Sequence, residues 1–140
     1  MRVKQLQPGF IMPTKGTKGA GAFDIYMPES GSTHGIHPVL VPLGFATEVP
    51  VGYVALILPR SGQGSKYGVE LNNTCGVIDS DYRGEWKAAI RTKNNLEFSW
   101  DKGERILQFL IIPVADVTLE LATDLDTTER GTGGFGSSGK

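Results

Sequence analysis

Chemistry-bearing residues crowd into one stretch, Asn72-Asn73-Thr74-Cys75-Gly76-Val77-Ile78-Asp79-Ser80-Asp81-Tyr82-Arg83-Gly84-Glu85. It begins polar, passes through the apolar pair Val77-Ile78, and then sets a carboxylate, Asp79, directly after them. Val77 and Ile78 read as the end of a buried strand, closed by Asp, Ser and Gly turn chemistry. Strand alternation puts Val77 and Asp79 on one face. A carboxylate on the same face as a buried valine is partly dehydrated, which makes it a better base for activating water. The ordinary reading is a turn aspartate bonded to its own backbone, and from this stretch alone that reading has the stronger claim.

The elements that would position such a group are strands. Val3–Leu6, Phe23–Tyr26, His37–Leu40, Gly44–Val49 and Tyr53–Leu58 are short apolar runs separated by Gly and Pro. Val69–Leu71, Gly76–Ile78, Trp86–Thr92, Phe98–Trp100, Arg105–Ile112 and Val117–Leu121 continue the series. Many short strands at this spacing predict an all-β antiparallel sandwich or barrel. Pro8–Gly21 and Met27–Gly35 read as loops, and Gly62–Tyr67 is the one helical segment, at most two turns. Trp86 and Trp100 are expected in the core, and Cys75 is expected to be a small buried residue.

At 140 residues the chain makes one domain with one core. A net charge of −1 gives no global attraction to nucleic acid or acidic lipid, so any anion site has to be local. One cysteine forms no internal disulfide, which fits a reducing, cytoplasmic compartment (host cytoplasm for a viral protein). There is no basic-then-apolar leader, and the longest apolar runs, Val54–Leu58 and Ile106–Val114, are too short or too interrupted to span a bilayer. His34 and His37 lack partners at ligand spacing, which argues against zinc.

Two further stretches suit an anion. Pro59-Arg60-Ser61-Gly62-Gln63-Gly64-Ser65-Lys66 follows an apolar strand and opens the helical turn, so free amides and Arg60 could meet phosphate oxygens. An ordinary solvated corner is an equal reading. After Leu121 the apolar residues nearly stop, and Thr123–Lys140 carries five glycines, Gly131, Gly133, Gly134, Gly136 and Gly139. Composition alone makes this a disordered tail. Phe135 and Arg130 give it a stacking group and a guanidinium, enough to close over an anionic, aromatic ligand. The spacing Gly131-x-Gly133-x-x-Gly136 is not a dinucleotide fingerprint, because no strand leads straight into it.

Together these pieces resemble the trimeric dUTPase family through five motifs in the family's order. They are Ala20-Gly21-Ala22-Phe23-Asp24-Ile25; Pro59-Arg60-Ser61-Gly62 with Lys66-Tyr67-Gly68; Gly76-Val77-Ile78-Asp79-Ser80-Asp81-Tyr82-Arg83-Gly84; Gly103-Glu104-Arg105-Ile106-Leu107-Gln108-Phe109; and Arg130-Gly131-Thr132-Gly133-Gly134-Phe135-Gly136-Ser137-Ser138-Gly139. Ala22 departs from the glycine usual at its place.

The resemblance implies a distorted β-barrel with jelly-roll character over residues 1–122, a glycine-rich lid over 123–140, and a homotrimer with shared active sites. It implies hydrolysis of dUTP to dUMP and pyrophosphate, which lowers dUTP and supplies dUMP for thymidylate synthesis. Asp79 resembles the general base, and Tyr82 the aromatic against the deoxyribose. Asn73, Gly76, Val77 and Ile78 resemble the uracil-reading hairpin. Arg60, Ser61, Gly62, Gln63 and Gln108 resemble phosphate contacts. Asp24 resembles the carboxylate that reaches Mg2+ through water. Arg130 resembles an arginine finger, Phe135 a stacking lid, and Gly136-Ser137 terminal-phosphate donors. Gln108 and Arg130 join Asp79 as catalytic residues in this reading. The alternatives are a dCTP deaminase-like member and a non-catalytic nucleotide-binding or regulatory member of the same fold.

Overall fold

The computed structural model describes residues 1–93 and 95–134. Eleven strands and one short helix follow in order: β1 (Val3–Gln5), β2 (Phe23–Tyr26), β3 (Gly31–His34), β4 (Val39–Pro42), β5 (Phe45–Thr47), β6 (Tyr53–Pro59), α1 (Ser61–Tyr67), β7 (Val69–Leu71), β8 (Gly76–Ile78), β9 (Lys87–Thr92), β10 (Glu97–Trp100) and β11 (Arg105–Pro113). All pairings are antiparallel. The fold is the all-β antiparallel architecture that the strand spacing predicts and the jelly-roll-like barrel that the resemblance implies, with one two-turn helix. Among the described residues no helix is long and apolar enough to cross a membrane.

The largest sheet has the order β2-β11-β6-β8, and a second has β4-β9-β7. Two pairs, β1-β5 and β3-β10, complete the wall. Alternation fills the inside. On β9, Ala88, Ile90 and Thr92 are buried, whereas on β6 the buried set is Val54, Ala55 and Ile57. Trp86 is the hub: its ring lies 5.0 Å from Phe45 and 5.0 Å, edge-on, from Phe109, which stacks on Phe23 at 5.2 Å. Such offset and edge contacts suit the ring quadrupoles. Trp100, 4 % exposed, joins the same core.

Three expectations are corrected. Met27–Gly35 is not all loop, because Gly31–His34 pairs with β10 and buries Thr33. The stretch has no apolar alternation to announce it. Gly31 lies against the Trp100 ring, where a Cβ would sit 2.5 Å from Cζ2. Val117–Leu121 forms no strand in the single chain, and its Val117, Leu119 and Leu121 are exposed, because β11 ends at Pro113 and no neighbouring edge takes up the segment. The strand expected at His37–Leu40 starts later, at Val39, since Pro38 has no N–H for the ladder.

Two local features aim residues outward. The register of β11 against β2 skips between Arg105 and Leu107, so Arg105 faces Tyr26 and Leu107 faces Ile25. Ile106 and Leu107 are consequently both buried. A bulge of this kind puts Arg105 and Gln108 on one face although their spacing is odd. At the end of β6 the chain turns directly into α1, with Arg60 as its N-cap.

Candidate active site

Antiparallel register gathers three of the five motifs at one end of the main sheet. Asp24 on β2 lies opposite Gln108 on β11, and Gln108 lies opposite Leu58 on β6, two residues before Arg60. Asp24 is 8 % exposed and is bracketed by two guanidiniums, Arg60 Nε at 3.0 Å from Oδ1 and Arg105 Nη1 at 3.2 Å from Oδ2. Gln108 Nε2 donates to the Pro59 carbonyl at 3.1 Å. The first amides of α1, on Ser61 and Gly62, have no helical partner, and no acidic residue occupies the first turn. A Cβ on Gly62 would meet nothing within 4 Å, so this backbone is open to an approaching oxygen. Two cations against one carboxylate leave this corner with surplus positive charge in a chain of net charge −1.

Gln63 does something different with its side chain. Its amide donates to the Arg60 carbonyl at 3.0 Å, while its side chain lines a separate cavity with Tyr67, Glu97, Phe98, Ser99 and Glu104. Oε1 is buried there and unpaired among the described residues.

The stretch from Asn72 to Glu85 forms a turn that carries the chain from one sheet to another, and then a loop. β7 and β8 are joined through Asn72–Cys75, with Thr74 N donating to Leu71 O and Asn73 Nδ2 donating to Cys75 O at 3.0 Å. Thr74 sits at φ +66, which a β-branched residue resists. Cys75 is half-buried rather than buried. Gly76 packs on β6 so closely that a Cβ would lie 3.1 Å from Ile57 Cβ. Beyond the strand, Tyr82 folds over Gly84 and its hydroxyl donates to Glu85 O at 3.1 Å. Glu85 Oε1 in turn accepts from Gln7 Nε2 at 2.7 Å and Gly44 N at 3.1 Å. These bonds clamp the foot of the loop to the barrel.

The expected dehydration of Asp79 is corrected. Alternation does put Val77 and Asp79 on one face, but that face is the open one: Val77 is 58 % exposed, Asp79 is exposed, and Ile78 is the buried member. Parity fixes which residues share a face, not which face is inside.

The Asp24, Arg60 and Gln108 corner and the predicted base Asp79 are far apart within one chain. β8 pairs with β6 at Gly76–Ile57, Val77–Leu56 and Ile78–Ala55, so Asp79 continues level with Val54. Arg60 is six residues further along β6, roughly 20 Å at strand rise. Arg130 is exposed in the tail, with Nε donating to Gly133 O at 2.9 Å. Among the described residues it makes no hydrogen bond or ion pair to the other predicted site residues. Phe135, Gly136 and Ser137 lie outside the described residues. A cavity of about 450 Å³ runs along Arg2–Lys4 and Ala46–Glu48 and takes in only Arg83 from the motifs.

For a metal, Asp24 is the only predicted contact. Among the described residues no three His, Cys, Asp or Glu side chains are grouped to hold an ion. Both oxygens of Asp24 face guanidiniums, so it suits a cation only through an intervening water. Such a placement fits Mg2+, which keeps several waters and takes phosphate oxygens as direct ligands.

The dUTPase family model matches residues 9–139. The chain belongs to the dUTPase family. A deoxyuridine 5'-triphosphate nucleotidohydrolase of Nautilia profundicola is 40% identical over 100% of this chain and 99% of its own length. One of Hydrogenobaculum sp. is 42% identical over 98% and 96%. Among solved structures, the Staphylococcus bacteriophage 80alpha dUTPase with dUPNHPP superposes with a TM-score of 0.90 at 27% identity, covering 99% of this chain and 98% of that one. A mutant dUTPase of phage phi11, described with a structural Mg(II) ion, has a TM-score of 0.78 at 20% identity, over 88% and 96%, and speaks for the fold alone.

Three residues near the predicted site are marked out by the structure and not by local sequence pattern. Arg105 is flagged only by a bulge that no periodicity reveals. Thr74 is flagged by its φ angle, and Glu85 by contacts to Gln7 and Gly44 that are remote in sequence.

Proposed function

We propose that this chain hydrolyses dUTP to dUMP and pyrophosphate. The observation that carries the reading, within the family, is the convergence of Asp24, Arg60 and Gln108 from three separated motifs at one strand end. A nucleoside triphosphate is the ligand that concentrated guanidinium and amide donors suit. Arg60, the Ser61 and Gly62 amides and Gln108 hold the phosphate chain, with Gln63 contributing its backbone turn. The Asn73–Ile78 turn and strand read uracil through backbone groups and Asn73. Tyr82, braced on Gly84, packs against the deoxyribose.

Asp79 orients one water and accepts its proton as the water oxygen bonds to the α-phosphorus. The bond from that phosphorus to the bridging oxygen breaks in line, and pyrophosphate leaves with the electron pair. Asp79 lies exposed in the single chain, so the dehydration that sharpens a base has to come from the bound nucleotide and its neighbours. Mg2+, when bound, neutralises the leaving phosphates, with Asp24 holding one of its waters.

The assembly in this reading is a homotrimer. The roughly 20 Å between Asp79 and Arg60 supports it, since one nucleotide cannot bridge both within a chain. Each site then takes the Asp24, Arg60 and Gln108 corner from one subunit and Asp79 with Tyr82 from a neighbour. Residues 123–140 act as a lid, with Arg130 reaching the terminal phosphates, Phe135 stacking on uracil, and Gly136 and Ser137 donating to the last phosphate. The single half-buried Cys75 suits the cytoplasm as its compartment.

A substrate panel tests the reading. Pyrophosphate release is expected from dUTP with Mg2+, with dTTP, dCTP and UTP far weaker. Ammonia released from dCTP would move the chain to the deaminase reading. Binding of dUTP without turnover would move it to the regulatory one.

A further inference from the structure

We infer that Arg105 is a positioning residue for the triphosphate, acting through Asp24 on the guanidinium of Arg60. The inference rests on the proposed dUTP site and assigns a role to a residue outside its predicted contacts. Three groups close a ring. Arg105 Nη1 donates to Asp24 Oδ2 at 3.2 Å, Arg60 Nε donates to Asp24 Oδ1 at 3.0 Å, and Arg60 Nη1 donates to the carbonyl of Arg105 at 2.9 Å. The backbone closes it further, with Arg60 N donating to the Ile106 carbonyl at 3.0 Å.

The β-bulge makes this ring possible. In a regular ladder Arg105 and Gln108 would point to opposite faces, because three residues separate them. The skipped register at Ile106 sets Arg105 opposite Tyr26, on the face that also carries Asp24 and Gln108. The Arg105 guanidinium then passes 5.8 Å from the Tyr26 ring, and Tyr26 Oη is 2.8 Å from Thr14 Oγ1. Arg105 is thus held from behind while it holds Asp24.

The consequence falls on Arg60. A guanidinium has five N–H groups in a rigid plane. Arg60 uses Nε and one Nη1 hydrogen on the ring, which fixes that plane and leaves Nη2 without a protein acceptor among the described residues. Its side chain remains 35% exposed, open to a phosphate, while the Asp24 side chain is 11% exposed. A carboxylate with both oxygens engaged cannot swing away when the triphosphate arrives. With Arg105 removed, Asp24 keeps one anchor, and Arg60 loses its fixed plane before it loses its charge.

The test is a cycle of Arg60→Gln, Arg105→Gln and the double variant, with Arg105→Lys alongside. The Kd for a non-hydrolysable dUTP mimic is measured for every protein, and KM and kcat for dUTP in those that keep Arg60, with circular dichroism melts for each protein. Arg105→Gln is expected to weaken mimic binding and raise KM about tenfold, with kcat changed less than about threefold. In the Arg60→Gln background the same change is expected to do almost nothing, since the group it positions is gone. Arg105→Lys, which keeps a charge on Asp24, is expected to recover part of the loss. Full additivity in the double variant would make Arg105 an independent contact and overturn the inference, and so would unchanged mimic binding in Arg105→Gln. If Arg105→Gln fails to fold, the decision passes to Arg105→Lys in the two backgrounds under the same criterion. Failure of the wild-type protein to bind the mimic at all would instead sink the proposed dUTP reading.

Discussion

Thr74 holds a backbone conformation, φ +66, that its branched side chain disfavours, and it does so in the turn proposed to read uracil. Strain of this kind is of order 1–3 kcal/mol and persists only where the surroundings impose it. Here the Thr74 N to Leu71 O bond and the Asn73 amide on the Cys75 carbonyl impose it. Asn tolerates the left-handed region better than Thr. Thr74→Asn is therefore expected to raise unfolding free energy by about 1 kcal/mol in denaturant titrations at matched protein concentration. A loss of stability would show that the turn stores no strain. Asp79 makes the opposite separation of stability from function. It is exposed, and its carboxylate has no hydrogen-bond partner among the described residues. Asp79→Asn is expected to leave stability within about 0.5 kcal/mol. The same change should cut dUTP turnover about a hundredfold or more in a pyrophosphate-release assay. Unchanged turnover would remove Asp79 from the chemistry.

Strands were legible where alternation or an apolar run marked them. Phe23–Tyr26, Val69–Leu71 and Gly76–Ile78 stand in the structure where the residues put them. Legibility failed where pairing depends on a distant partner. Gly31–His34 is a strand because β10 and the Trp100 ring lie beside it, and the sequence Gly-Ser-Thr-His carries no trace of either. Val117–Leu121 has the alternation but no strand partner among the described residues. The positions of Asp24, Arg60 and Gln108 could be picked out by resemblance, but their meeting depends on registers that no local pattern encodes. Gly31→Ala tests the first case. Its methyl would overlap the Trp100 ring, and the β3–β10 pair should lose about 2 kcal/mol of stability, read by denaturant unfolding. The tail behaves as a separate element. Its described bonds, Arg130 to Gly133 and Gly131 to Thr128, are local, and its residues from Val114 to Glu129 are exposed. Deleting residues 130–140 is expected to leave the circular dichroism spectrum and melting temperature unchanged. Turnover should fall at least about tenfold, because the proposed lid brings a guanidinium to the phosphates. A deletion that retained full activity would take the lid out of the mechanism.

At the scale of the whole molecule, one chain carries the two groups of proposed site residues at opposite ends of β6. One end presents Arg60, Asp24 and Gln108, and the other presents Asp79 and Tyr82. In the proposed trimer each nucleotide joins one end from one subunit to the other end from its neighbour. Two separately inactive proteins should therefore repair each other. Asp79→Asn supplies an intact phosphate corner, and Arg60→Gln supplies an intact base. When equal amounts are unfolded together and refolded, subunits assort at random, and a site works only where the corner comes from the first variant and the aspartate from the second. That combination arises at about one site in four for a cyclic assembly. Co-refolded protein is accordingly expected to recover about a quarter of wild-type activity, while each variant refolded alone stays inactive. Sedimentation should give a mass near three chains for every sample. If the mixture remains as inactive as its parts while still sedimenting as a trimer, each site is built from a single chain, and the separation along β6 would have to be closed by a rearrangement within the barrel.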